Sequence, residues 1–297
     1  MSRLFTFGCS FTKYTWPMWS DIFGLEFDHF ENWGVSGGGN SCIANRVTEC
    51  LVKNDITPDD IIVVQWSSHI RNDYHTFKYL TEGPDKEAGW KTKGSIFNYL
   101  NAEKYNKKWL DTFFDENSYV MLSLNAIHST QLSLQATGCK WAMTSIGDFS
   151  KLGSDFIVDP AAYAETPNYP VDLWNDKDLF LPYKDKIWND KFIWVDPIGP
   201  FAWSRMDEMY WWTDAKYPDD KTIPLWCDPH PSVNLSIDWL YNKLKPALGL
   251  DNTKLTSQQL EWAKECIIIK EQNSGLDPFG DLASKTLKNY TKSYRGY

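Results

Sequence analysis

The chain has 297 residues, 42% of them apolar, with a formal net charge of −9 and an isoelectric point near 5.1. This length accommodates one large α/β domain with elaborations, or a domain with a small appendage. The acidic balance argues against nucleic acid or an anionic membrane as the main partner. No apolar run approaches the roughly 20 residues that span a bilayer. No signal peptide precedes the first predicted strand, so we expect a cytoplasmic protein.

The six cysteines are scattered without paired spacing. This arrangement predicts neither a disulfide framework nor a zinc site, and reduced, mostly buried thiols fit it best. We therefore expect no metal ion at these residues. The chain also contains 16 tryptophans, whose rings either fill large cores or stack on sugars.

The first predicted element is a strand from Leu4 to Gly8, which runs into a tight turn at Ser10. A helix-compatible segment follows between Trp16 and Phe23. A serine at such a corner lies at the carboxyl edge of a parallel sheet, where α/β folds bind ligands. It is either a nucleophile or merely the cap of a helix. The neighbouring Cys9 is an alternative nucleophile, although adjacent residues at a corner point in different directions.

Strands and helices then alternate. We predict a short strand near 30–35, a helix from Ser41 to Lys53 and a fully apolar strand from Ile61 to Trp66. The glycine-rich loop at 32–40 opens the helix, and its backbone N–H groups suit either an oxyanion or a phosphate. A phosphate loop requires lysine where Asn40 stands. The alternation predicts a doubly wound α/β fold around a central parallel sheet.

Two long insertions interrupt this alternation, at about residues 73–113 and 147–224. The second is rich in proline and aromatic residues and lacks clean periodicity, which is typical of a lid or a binding region. Between the insertions we predict a long helix from Glu116 to Thr137, ended by Gly138. The next strand is predicted at 139–146.

The C-terminal part begins with a predicted helix from Ser232 to Leu248. Residues 1–249 are thus expected to form the main α/β domain. Residues 250–297 are predicted as a C-terminal helix and a polar tail, because a capping box at Thr256 opens another helical pattern that runs to Gln272.

Asp228 and His230 stand directly before the helix that is predicted to begin at Ser232. In a serine hydrolase, a hydroxyl attacks a carbonyl while a histidine takes its proton and a carboxylate orients the imidazole. We expect both Ser10 and His230 to follow strands at the same sheet edge, so folding would bring them together. The competing interpretation of this segment is an ordinary helix approach with Ser232 as the cap.

The Ser10 turn, the glycine-rich loop at 32–40 and the segment with Asp228 and His230 form three sequence blocks. In their order and spacing these blocks resemble those of the SGNH (GDSL-like) hydrolase superfamily. The resemblance implies a three-layer α/β/α, flavodoxin-like domain with a serine nucleophile. It assigns Ser10 as the nucleophile, His230 as the base and Asp228 as the acid. Gly37 matches the glycine whose backbone N–H forms the oxyanion hole together with the N–H of Ser10.

The chain departs from the family pattern in two places. The family places its acid three residues before the histidine, whereas Asp228 stands two before it. The family's third block normally carries an asparagine after the third strand, and here the strand runs into Ser67 and Ser68. The third oxyanion donor is therefore predicted to be Asn40, Ser67 or Ser68. Arg71, a little further on, either binds a substrate carboxylate or pairs with a surface acid.

The resemblance implies hydrolysis of an ester by a mechanism that requires no metal ion and no organic cofactor. The aromatic-rich insertions favour an acetyl group on a carbohydrate as the substrate. The alternative is a catalytically inactive SGNH-fold protein, a structural or glycan-binding component of a bacteriophage virion with contacts to virion proteins or to copies of itself. A nucleotide-binding α/β protein is the remaining alternative, which the missing lysine disfavours.

Overall fold

The computed structural model describes residues 3–14, 16–69, 71–76, 89–95, 107–113, 115–147, 180–209, 211–212, 226–227, 230–251, 261, 265 and 294–296. The predicted helix between Thr256 and Gln272 lies mostly outside them, as do most of the two predicted insertions.

The strands fall into one parallel sheet and two small antiparallel pairs. They are β1 (Arg3–Phe7), β2 (His29–Asn32), β3 (Ile61–Trp66), β4 (Arg71–Thr76), β5 (Gly89–Ser95), β6 (Lys140–Ser145), β7 (Trp211–Trp212), β8 (Trp226–Cys227) and β9 (Tyr294–Gly296). The parallel sheet has the order β6-β3-β1-β2-β9, and β4 pairs with β5 while β7 pairs with β8. The order of β2, β1, β3 and β6 is that of flavodoxin-like folds, whose ligands bind at the carboxyl ends of the strands.

The helices connect and cover these strands. They are α1 (Trp19–Gly24), α2 (Asn40–Lys53), α3 (Lys107–Phe113), α4 (Glu116–Thr137), α5 (Leu181–Ile187), α6 (Ile198–Trp203), α7 (Val233–Trp239) and α8 (Lys245–Ala247), with a 3₁₀ turn at Met206–Glu208 and a π turn at Leu240–Leu244. The predicted α/β fold with a central parallel sheet is thereby confirmed. None of the helices in the described part of the chain combines the length and the apolar character needed to cross a lipid bilayer.

The central strands β1 and β3 are almost entirely buried, so the middle of the sheet is covered on both faces. Every residue of β3 is buried, as expected for a central parallel strand. Side chains alternate between the faces, so Val63 packs with α1 and α7 while Ile62 and Val64 pack with α2 and α4. The result is the three-layer α/β/α arrangement, with its core split into two apolar clusters by the sheet.

Local signals in the sequence fix the ends of two helices that flank the site. Asp115 caps α4 by accepting a hydrogen bond from the Asn117 N–H, and Gly138 ends that helix with a φ of 72°, a conformation that glycine adopts without steric cost. Ser232 caps α7 by accepting from the Leu235 N–H at 3.3 Å.

Part of the predicted second insertion belongs to the core. The chain at Trp194 forms a parallel bridge with Met143 of β6, and Ile187, Val195 and Ile198 are buried in the two apolar clusters. Residues 180–209 therefore continue the α/β layers beyond β6. At the opposite edge, β9 pairs with β2, so the C-terminal segment contributes a strand to the sheet.

Candidate active site

Ser10 lies on a tight turn at the carboxyl end of β1. The N–H groups of Thr12 and Lys13 donate to the Cys9 carbonyl at 2.9 and 3.0 Å. A Cβ at Gly8 would lie 2.0 Å from the Thr12 hydroxyl oxygen, so only glycine allows the chain to fold back so closely. The turn leaves Ser10 5% exposed, whereas the neighbouring Cys9 packs in the apolar core. The Cys9 side chain is therefore enclosed by the core.

The structure brings Ser10 and His230 together from positions 220 residues apart in sequence, with 2.7 Å between the Ser10 Oγ and the His230 Nε2. This distance is that of a hydrogen bond, in which the serine hydroxyl donates when Nε2 carries no proton. His230 stands just before α7, whose Ser232 cap fixes the start of that helix. The strand that precedes it in sequence, β8, pairs with β7 and not with the parallel sheet, so the expectation that Ser10 and His230 follow strands of one sheet is wrong. Asp228, the predicted acid, lies outside the described residues.

The glycine-rich loop runs beside this turn. The Val35 N–H donates to the Gly8 carbonyl at 2.9 Å, and the Gly38 N–H donates back to the Val35 carbonyl at 2.8 Å. Gly37, at the tip, has a φ of 77°, in the left-handed region that L-residues rarely adopt. The predicted oxyanion residues Gly37 and Ser10 therefore belong to two neighbouring turns that hydrogen bonds hold together.

Asn40, at the start of α2, is part of a buried network. Its Nδ2 donates to the Ser67 carbonyl at 3.1 Å and to the Ser123 hydroxyl at 3.0 Å, while its Oδ1 accepts from the Ser67 N–H at 2.8 Å. A side-chain amide has two N–H donors, and both are used here within the fold. This geometry argues against the prediction that Asn40 donates to an oxyanion. It favours a role in fixing the loop that follows β3.

The other two predicted donors lie on that same loop. Ser67 and Ser68 are both buried, and the Ser67 hydroxyl has no hydrogen-bond partner among the described residues. The hydroxyl of Ser67 is thus not committed to another group in the way the amide of Asn40 is.

The β4–β5 hairpin holds the glycine loop from the other side. The Arg71 guanidinium donates to the Gly38 carbonyl at 3.0 Å, so this side chain supports the loop, and its predicted contact with a substrate carboxylate stays a prediction. Asp73 accepts from the N–H groups of Gly39 at 2.9 Å and Cys42 at 3.1 Å. Burial raises the pKa of Asp73, against the lowering effect of these two donors. Its carboxylate caps α2 from outside the helix, a role that the sequence analysis did not assign.

A buried polar network supports the Ser10 turn from behind. The Thr12 hydroxyl donates to Gln65 Oε1 at 2.5 Å, and the Thr12 carbonyl accepts from the Ser20 hydroxyl and from Asn32 Nδ2. Asn32 also donates to Asp21 at 3.0 Å. Burial raises the pKa of Asp21 to about 6, although hydrogen bonds from the Met18 N–H and Asn32 lower it. The turn is thereby tied to β2, β3 and α1 at once.

Aromatic side chains enclose the imidazole of His230. Tyr14 stacks on it with 3.7 Å between ring centroids, and Phe11 and Trp16 approach it at 4.7 and 6.3 Å. These contacts were not predicted from the sequence. The aromatic residues form a run directly after Ser10, but nothing local in the sequence shows that they pack against His230.

The arrangement provides a buried hydroxyl in contact with an imidazole, beside backbone N–H groups at a helix start. These are the parts that nucleophilic acyl transfer requires. In the part of the chain that the structure describes, no group of three or more His, Cys, Asp or Glu side chains could hold a metal ion.

No protein-family model matches the chain, and no curated protein matches it significantly. Among solved structures, the chain is similar to a GDSL-like lipase from Bacteroides thetaiotaomicron VPI-5482, with 12% sequence identity, a TM-score of 0.36 and coverage of 84% of this chain and 87% of that one. It is also similar to a candidate acylhydrolase from Bacteroides fragilis NCTC 9343, with 14% identity, a TM-score of 0.38 and coverage of 84% and 86%. At such identities, the function of this chain has to be inferred from its own side chains.

Proposed function

We propose that the protein is a serine ester hydrolase in which Ser10 is the nucleophile and His230 the general base. The observation that carries this proposal is the 2.7 Å contact between Ser10 Oγ and His230 Nε2. A hydroxyl becomes a competent nucleophile at neutral pH when a base within hydrogen-bond reach takes its proton.

In the proposed reaction, Ser10 Oγ attacks the ester carbonyl carbon while its proton passes to His230 Nε2. The backbone N–H groups of Ser10 and Gly37 stabilise the oxyanion, with the hydroxyl of Ser67 or Ser68 as the proposed third donor. The carbonyl re-forms as the bond to the alcohol breaks, and the alcohol leaves with the proton from the imidazolium. Water, activated by the same imidazole, then releases the acid and regenerates Ser10.

Asp228 is the proposed orienting group for His230. A carboxylate on Nδ1 fixes the tautomer that leaves Nε2 unprotonated, and it stabilises the imidazolium. For the substrate we propose a small acyl ester, with an acetylated carbohydrate as the natural class, because the two predicted insertions are rich in aromatic residues that suit sugar rings.

The test compares wild-type protein with Ser10→Ala, and Ser133→Ala serves as the matched control because Ser133 lies on the exposed face of α4. The substrates are p-nitrophenyl acetate and acetylated oligosaccharides, and a fluorophosphonate probe reports the reactive serine. We expect Ser10→Ala to lose both labelling and turnover, the latter by roughly 10⁴-fold or more, while Ser133→Ala retains both. Equal turnover in Ser10→Ala and wild type would refute the serine mechanism, and an inert wild-type protein would favour the non-catalytic alternative.

A further inference from the structure

The imidazole of His230 is held by side chains that come from one short segment after the Ser10 turn. Tyr14 stacks on it nearly parallel, at an interplanar angle of 17° and a centroid distance of 3.7 Å. Trp16 meets the same ring edge-on at 87°, and Phe11 meets it at 43°. One face of the imidazole is therefore covered, and its rotation is restricted from a second direction.

The same segment also fixes the backbone beside His230. The Trp16 Nε1 donates to the Pro231 carbonyl at 2.9 Å in a buried contact. Tyr14 and Trp16 pack edge to face on each other, with 4.6 Å between centroids and an angle of 89°. Residues that follow the nucleophile by a few positions thus hold both the ring of the base and the chain that carries it.

We propose that Tyr14 is a positioning residue for His230, a role that rests on the proposed hydrolase function. The χ2 torsion of histidine is broad, so an unsupported ring spends time in planes in which Nε2 points away from Ser10. Stacking against Tyr14 selects the plane in which Nε2 faces the Ser10 hydroxyl.

The stack has an electrostatic consequence as well. The face of an aromatic ring carries negative potential and attracts a cation placed over it. The imidazole becomes an imidazolium when it takes the Ser10 proton, so Tyr14 stabilises the state that follows proton transfer more than the resting state. An interaction that is stronger in the transition state raises kcat and leaves KM unchanged.

The kinetic experiment compares Tyr14→Phe, which keeps the ring, with Tyr14→Leu, which removes it. Tyr14→Met is a second ring-free variant, because its flexible side chain fills irregular space. Tyr241→Leu is the matched control, since the Tyr241 ring also lies under a cation, Lys245, but belongs to the π turn and bonds Glu26. We expect kcat to fall about tenfold in the ring-free variants with KM unchanged. The kcat of Tyr14→Phe should stay within about twofold of the wild-type value, and the kcat of Tyr241→Leu should equal the wild-type value.

A spectroscopic readout measures the stack without any substrate. The carbon-bound ring protons of His230 lie over the Tyr14 ring and should resonate upfield, and His230→Gln identifies them among the five histidines of the chain. We expect the upfield shift to persist in Tyr14→Phe and to disappear in Tyr14→Leu and Tyr14→Met.

Three outcomes overturn the inference. Unchanged His230 resonances in the ring-free variants refute the stack itself. Altered resonances with wild-type kcat refute the catalytic consequence of positioning. A wild-type protein that shows the stack but hydrolyses no ester and takes no fluorophosphonate refutes the hydrolase function on which the inference rests.

Discussion

The turn that carries Ser10 depends on an acidic side chain that lies below it in the core. Asp21 is buried and hydrogen-bonded to Asn32, which in turn holds the Thr12 carbonyl. Because burial raises the pKa of Asp21 to about 6, this carboxyl changes its charge within a pH range in which the protein is folded.

The resulting pH dependence of stability has a defined sign. The folded state keeps the Asp21 proton up to about pH 6, while the unfolded chain releases it near the ordinary value of 3.8. The folded state thus binds more protons in this interval, and the free energy of unfolding falls as pH rises through it, on the order of 3 kcal/mol in total. Asp21→Asn does not ionise. When the pH rises from about 4 to about 7, we therefore expect the free energy of unfolding to fall less in Asp21→Asn than in wild type. Urea unfolding at both pH values measures this difference.

The exposed Asp190→Asn is the matched control and should follow the wild-type profile. Parallel profiles of wild type and Asp21→Asn would show that Asp21 does not titrate in this interval.

At the scale of single residues, the sequence was sufficient to predict a site residue where a local turn pattern and a reactive side chain occur at the same position. Ser10 could be predicted because a strand, a glycine and a serine define a corner. Asn40 shows where such reasoning ends, since its position beside the glycine loop suggested a donor to an oxyanion. Its actual partners, Ser67 and Ser123, come from the loop after β3 and from α4. Which of them an amide meets depends on tertiary packing that no local pattern encodes.

Among the elements, the β4–β5 hairpin stabilises the start of α2, a role that could not be predicted from its own sequence. Its Asp73 satisfies two N–H groups at the start of α2, which a helix otherwise leaves without intrahelical partners. The glycine loop that precedes α2 is thereby held in place by a different part of the chain.

Removing this carboxylate should loosen the glycine loop. We expect Asp73→Ala to lower the free energy of unfolding by about 1–2 kcal/mol, the usual contribution of a helix cap, and to lower kcat through a less ordered oxyanion site. Urea unfolding and esterase kinetics measure the two effects. Asp185→Ala, on the exposed surface of α5, is the control and should change neither. A wild-type midpoint for Asp73→Ala would show that water or another group replaces the cap.

The elements that the sequence predicted well are those with strong local signals. The apolar run of β3 and the helix α4 with its terminal Gly138 have the predicted bounds. The hairpin β4–β5 was hidden within a predicted insertion because its strands are polar and its pairing joins segments on either side of residues 77–88. Hydrophobic periodicity, the main signal in a sequence, is weak in such elements.

On the scale of the whole molecule, the sequence predicted the class of fold but not its edges. Alternating strands and helices imply a parallel sheet, since parallel strands need crossover connections. Nothing in the polar C-terminal segment indicates that Tyr294–Gly296 pairs with β2. The sequence of the aromatic-rich region likewise gives no indication that Trp194 extends the sheet beyond β6. Both contacts join distant parts of the chain and carry no local signature.

Ser10 and His230 are separated by 220 residues in sequence. The recovery of Ser10 reactivity during refolding therefore reports when these distant parts of the chain come together. Closing so long a loop is entropically costly, and non-local contacts form late in folding. After dilution from urea, fluorophosphonate labelling of Ser10 should therefore recover more slowly than the fluorescence of the buried tryptophans. Labelling that returns in step with fluorescence would mean that Ser10 and His230 already meet in the first compact state. In either case the probe reacts only with molecules in which Ser10 and His230 are in contact. The labelled fraction therefore measures how many molecules have a correctly assembled site, whereas fluorescence reports an average over the whole population.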